Sequence, residues 1–143
     1  IIVELNYFDR IIITTGDAYQ YYQSLRGLIR DIPEVEHYHS VDQYQMRDLF
    51  RIADIAIVPM STLHIEALSQ NCIVMGGYIE ENQRITYENA SGDSRIIRMG
   101  NLRNLSEKRI KPELEKIEEN LPLEVNNKIG SKQDVLVELI ASL

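Results

Sequence analysis

At 143 residues the chain has the length of one domain, and a chain near this size buries roughly 70% of its unfolded surface. Hydrophobic residues make up 44% and charged residues 26%, no apolar run reaches the ~18 residues that cross a membrane, and no leader pattern opens the chain. A net charge of -7, from 22 acidic and 15 basic residues, gives no basic face for nucleic acid. The lone Cys72 excludes an intrachain disulfide and a cysteine-based zinc site. A reducing, cytoplasmic setting is therefore expected. The first residue is Ile1 rather than Met, which leads us to expect a piece of a longer protein.

Strand and helix signals alternate along the chain. The opening IIVEL reads as an extra strand or a linker. Ile11 to Thr15 is a β-branched run ended by Gly16-Asp17. Tyr21, Leu25, Leu28, Ile29 and Ile32 then recur at helical spacing. A strand follows Pro33. Met46, Leu49, Phe50 and Ala53 fall on one helix face, and DIAIV at 54–58 is a buried strand. A helix over 61–70 carries Leu63, Ala67 and Leu68, and CIVMGG at 72–77 is the next strand. A helix over 81–90 and a fifth strand in SRIIRM follow. Two helices are expected to close the chain. One begins near Pro112, a favoured first helical position, and buries Leu114, Ile117 and Leu121. The other begins at Ser131, with Asp134 as a capping-box-like partner, and carries Val135, Leu136, Leu139, Ile140 and Leu143. LPLEVNNKIGSK between them reads as a loop.

This order predicts an α/β domain, a three-layer αβα arrangement with a Rossmann-like parallel sheet. Near-continuous Ile/Val strands fit a sheet covered on both faces. Ligands of such sheets bind outside the carboxyl ends of the strands, so four loops are candidates: 15–19, 40–43, 59–62 and 76–82.

In the third loop, Ser61 or Thr62 caps a helix whose first N–H groups lack internal partners, and the helix dipole adds partial positive charge there. Glu66 lies one turn beyond Thr62 on the same face, about 6 Å along the axis. That spacing fits a diphosphate at the helix start and ribose hydroxyls at a carboxylate that accepts two hydrogen bonds. The plainer reading is an ordinary Ser/Thr cap with a solvated Glu. In the fourth loop, Gly76-Gly77 would let the backbone approach a ligand closely, and the amides of Asn82 and Gln83 suit sugar hydroxyls. Here the plainer reading is a turn before a polar helix start. Gly16 in the first loop is a lone glycine turn.

The GxGxxG and Walker A patterns are absent, which counts strongly against nicotinamide and ATP roles; no cofactor is expected. His37 and His39 share a strand face without a clear third ligand, so no metal site is expected. His64 and Cys72 read as packed residues. The tyrosines of YQYY at 19–22 fit either a base-stacking platform or a helix face.

The stretch MRDLFRIADIAIVPMSTLHIEALSQNCIVMGGYIEENQ at 46–83 resembles the carboxy-terminal domain of GT-B-fold sugar-nucleotide enzymes. It is most similar to the UDP-sugar hydrolases of pseudaminic acid biosynthesis and to the glycosyltransferase family 28-like N-acetylglucosaminyltransferases of peptidoglycan synthesis. The tail IGSKQDVLVELIASL resembles that family's closing glycine turn and helix. The resemblance implies that Ser61 and Thr62 face the diphosphate of a UDP-sugar, Glu66 the ribose, and Asn82-Gln83 the sugar or its phosphate; Gly16 and Gly77 join them as substrate-binding candidates from their own loops. It implies a cytoplasmic role in bacterial surface-glycan biosynthesis, as the donor-binding half of a transferase or hydrolase. The catalytic base of that family comes from an amino-terminal domain. A complete active site, and hence a catalytic residue, is therefore not expected within this chain. Peripheral membrane contact of the parent enzyme is left open. The alternative is an α/β binding or interaction module that kept the fold without the chemistry.

Overall fold

The structure, a computed structural model, describes residues 8–90, 92–120 and 133–139. The Ile-rich run Phe8–Thr15 forms β1, longer than the β-branched core alone predicts, and is followed by α1 (Tyr22–Ile29), β2 (Val35–His39) and α2 (Gln43–Ile52). Then come β3 (Ile55–Pro59), α3 (Thr62–Ser69), β4 (Ile73–Tyr78), α4 (Glu81–Asn89), β5 (Ile96–Asn101), a 3-10 turn (Leu102–Asn104), α5 (Glu107–Asn120) and β6 (Gln133–Leu139). The strands form one sheet in the order β2-β1-β6-β3-β4-β5. Every neighbouring pair is parallel. The expected α/β fold with a Rossmann-like parallel sheet is thus present, and all carboxyl ends of the strands lie along one edge.

Side chains alternate across a strand, and here both faces are dry. Ile11, Ile13, Ile55, Ile57 and Met75 pack with Leu25 of α1 and with Ile110, Leu114 and Ile117 of α5. Ile12, Ala56, Val58 and Val74 pack on the other face with Met46, Leu49 and Phe50 of α2 and with Ala67 of α3. Crossovers toward the β2 side, through α1 and α5, use the first face, and crossovers toward β5, through α2 and α3, use the second. A single hand of crossover requires that division.

The last predicted helix is a correction. Gln133–Leu139 is a strand, β6, with Val135 opposite Ile11 on one side and Ile55 on the other. A short apolar run such as VLVEL fits either period. The space between β1 and β3 settles it, because without β6 both of those central strands would carry an unpaired ladder. Residues 131–132 and 140–143, like the IIVEL opening and the LPLEVNNKIGSK loop, lie outside the described residues.

A second correction concerns Pro112, which stands inside α5 rather than at its start. The helix begins at Glu107, where Arg109 and Ile110 donate to the Ser106 carbonyl. Pro112 removes one backbone donor of the second turn, yet Ile110, Leu114 and Ile117 still bury their side chains; Leu121 is outside the described residues. In α1, the expected apolar positions Tyr21 and Leu28 are 59% and 75% exposed. This helix covers the margin of the sheet and needs only Leu25 and part of Ile29 for the core.

Pro59 sits in a central strand at no cost to the ladder. Pairing between β3 and β6 stops at Ile57, so Pro59 faces only Gly77 of β4. The chain turns after it, with Met60 N–H donating to the Gly77 carbonyl at 2.7 Å.

Candidate functional site at the carboxyl edge of the sheet

Ser61 is the N-cap of α3, and its hydroxyl accepts from Leu63 N–H at 3.4 Å, a long contact. Thr62 is exposed at the first helical position, and Glu66 lies half-buried one turn on. His64 is buried, and its Nδ1–H donates to the Ser61 carbonyl, which fixes the cap from below. His64 is thus a packed residue, as expected. So is Cys72, whose Sγ lies 3.2 Å from the Phe50 carbonyl and 3.3 Å from the Ala53 carbonyl.

The neighbouring strand end is organised differently. Gly76 and Gly77 lie inside β4 rather than in the loop after it, and both are buried. A Cβ on Gly76 would come within 2.4 Å of Met60 Sδ, and one on Gly77 within 2.4 Å of the Gly100 carbonyl oxygen. The closeness that glycine allows is taken up by Met60 and by β5, because a fully packed sheet edge leaves that space to protein atoms. Gln83 turns back on its own loop: its Oε1 accepts from Ile79 N–H at 2.8 Å and Glu80 N–H at 3.2 Å. Asn82 Oδ1 accepts from Gln83 N–H at 2.9 Å. Both amides cap α4. Arg103, after β5, reaches across to Glu80 at 2.6 Å, which ties the β4 and β5 loops together.

Gly16 stands apart from these residues, at the end of β1. It is exposed, a Cβ added to it would meet nothing within 4 Å, and it lines a cleft of about 170 Å³ with Thr14, Thr15, Asp17, Ser40, Val41 and Met46. The cleft lies between the ends of β1 and β2 and the start of α2. Asp42 caps α2 through a complete capping box with Gln45, so the N–H groups of Tyr44 and Gln45 already have an acceptor. Ser40 Oγ donates to Asp17 Oδ1, and Ser40 holds a left-handed φ of 56°. Sequence reasoning placed Asp17 and Ser40 in two separate candidate loops, singled out only Gly16 and missed Thr14, because nothing in local spacing shows that the loop after β2 folds over the end of β1.

On the opposite face of β1, Thr15 Oγ1 lies 2.9 Å from His37 Nε2 and 2.9 Å from His39 Nδ1. One hydroxyl serves two imidazoles, donating to one ring and accepting from the other. Tyr22 of α1 leans on both rings, and Arg26 stands over Tyr22. Burial, then the nearby charges of His39 and Arg26, hold the His37 pKa below its ordinary 6.5. Among the described residues no group of three or more His, Cys, Asp or Glu is arranged to hold a metal ion. Tyr21 and Tyr19 pack edge to face, and the YQYY segment enters α1.

No family model, curated protein or solved structure matches the chain. The fold and the geometry of the carboxyl edge therefore carry the functional reading. Along that edge Ser61, Thr62 and Glu66 share one strand end, Asn82 and Gln83 the next, and Gly16 a third beyond β6. Among the described residues, no helix is long and apolar enough to cross a membrane.

Proposed function

We propose that the chain binds the diphosphate of a sugar nucleotide, of the UDP-sugar class, at the start of α3. The observation that carries this reading is the position of Ser61, Thr62 and Glu66 at the carboxyl end of a central parallel strand, where α/β sheets take ligands. The Thr62 hydroxyl and the first N–H groups of α3 suit an anion, and Glu66 suits a ribose diol. Held there, a diphosphate is also stabilised as a leaving group when the sugar–phosphate bond breaks. The parent would be a cytoplasmic glycosyltransferase or UDP-sugar hydrolase of surface-glycan biosynthesis, with its base on an amino-terminal domain and no activity in this chain alone.

A second reading, an interaction module that keeps the fold without the chemistry, is favoured by two observations. The amide oxygens of Asn82 and Gln83 are engaged in capping α4, and Met60 fills the space over Gly76. Calorimetric titration with UDP and UDP-N-acetylglucosamine separates the two. The donor-binding reading expects both to bind, with Thr62→Ala and Glu66→Ala each weakening affinity about tenfold, the worth of one charge-assisted hydrogen bond. No heat at millimolar ligand would favour the interaction module. Binding unchanged in both variants would remove these residues from the site.

A further inference from the structure

Among the described residues, Thr14 Oγ1 is a buried side-chain polar atom with no hydrogen-bond partner. Native folds rarely leave such a group unpaired. Thr14 follows Ile12 on the α2 face of β1, no part of it is exposed, and it forms the floor of the cleft at the end of β1. At about 170 Å³ that cleft has room for more than a single bridging water.

The walls define what fits. Polar groups come from Thr14, the Asp17 carboxylate and the Ser40 hydroxyl, and apolar surface comes from Val41 and Met46. No lining residue is cationic, so a phosphate would meet Asp17 with no counter-charge. An uncharged ring bearing hydroxyls meets every wall well. Its carbon face lies on Val41 and Met46, one hydroxyl pairs with Thr14, and neighbouring hydroxyls donate to Asp17, which accepts two hydrogen bonds at once. The Ser40 hydroxyl donates to Asp17, both of them exposed residues of the cleft lining, and Ser40 holds a backbone conformation that favours glycine. Ligand hydroxyls that replace Ser40 on Asp17 release that residue and open the way to Thr14.

We propose that this cleft is a binding site for a neutral, hydroxylated ring of the monosaccharide class, with Thr14 as its buried anchor and Asp17 as its acceptor. The inference goes beyond the diphosphate seat at α3 and stands without it. The ring has two sources: a free sugar, or the ribose or hexose of a sugar nucleotide.

The test follows the amide resonances of Gly16, Asp17, Ser40 and Val41 in the isotope-labelled chain. The probes are N-acetylglucosamine, inorganic phosphate, UDP and UDP-N-acetylglucosamine. The expected result is saturable shifts with at least one hydroxylated probe and none with phosphate. Shifts with UDP assign the ring to ribose, shifts with UDP-N-acetylglucosamine but not UDP assign it to the hexose, and shifts with N-acetylglucosamine show that a free sugar enters. Thr14→Val, which keeps the shape and removes the hydroxyl, should raise Kd about tenfold while raising Tm, since the orphan group is gone. If Thr14→Val disturbs the fold, Asp17→Asn at the exposed rim should raise Kd several-fold instead. Shifts with phosphate, no shifts with any hydroxylated probe, or an unchanged Kd in both variants would overturn the proposal. Failure of UDP to bind at Ser61 and Thr62 would leave these outcomes unaffected, so the two readings fail separately.

Discussion

Two stretches of the same sheet edge behave in opposite ways. They sit about 10 Å apart, at the ends of β1 and β3 with β6 between. The β3–β4 end is rich in hydroxyl, carboxylate and amide side chains, yet several of its polar groups are engaged with the chain itself. Gln83 and Asn82 cap α4, Gly76 and Gly77 accommodate Met60 and β5, and Arg103 holds Glu80. The β1–β2 end carries no motif beyond a lone Gly16, yet it holds an open cleft and a buried hydroxyl without a partner. Residue type therefore marks where a site belongs in this fold class, while unspent volume and unspent hydrogen bonds mark where the chain has left something for a ligand.

The contrast can be broken at its strongest point first. Gly77→Ala would push a Cβ to within 2.4 Å of the Gly100 carbonyl oxygen, and backbone cannot swing aside as a side chain does. A loss of about 2–3 kcal/mol is expected, read from the denaturant midpoint. A loss near zero would mean that β5 does not press on Gly77 and that the glycine is free for a ligand. Gln83→Ala should cost about 1 kcal/mol, because two N–H groups at the start of α4 lose their acceptor. If that variant instead kept full stability and lost UDP-sugar affinity, Gln83 would belong to a ligand and not to the cap.

The smallest effect lies behind the cleft. With its folded pKa held below 6.5 by burial and by His39 and Arg26, His37 takes up a proton more readily when unfolded. Below its unfolded pKa the unfolded chain is therefore favoured. Stability should fall as pH drops from about 7 through the unfolded His value toward the lower folded one. His37→Gln should flatten that slope in Tm measured from pH 7 to pH 5, and an equal slope in the variant would contradict the linkage. Glu36 works in the same direction at lower pH, since the Arg10 guanidinium at 2.5 Å holds its carboxyl below the ordinary carboxylate range; its contribution is lost as pH falls through that lowered value.

Much of this architecture can be read in the residues. Met46, Leu49, Phe50 and Ala53 are spaced as one helix face and are all buried. The DIAIV and CIVMGG runs are central strands, and the Ser61 cap begins α3. What local pattern does not carry is pairing. VLVEL suits a helix or a strand, and only the unfilled place between β1 and β3 decides for β6. Gly76-Gly77 looks like a ligand loop until Met60 and Gly100 are found against it. Thr14 looks like one more β-branched strand residue, and its orphan hydroxyl emerges only once the loop after β2 lies over it. Each of these depends on contacts between residues far apart in the chain.

The most direct test of the donor-binding account is to map amide shifts of the labelled chain during titration with UDP. The account predicts saturable shifts centred on Ser61, Thr62 and Glu66 at the start of α3, with Kd raised about tenfold in Thr62→Ala and in Glu66→Ala. A titration to millimolar UDP that leaves residues 61–66 unmoved would contradict it.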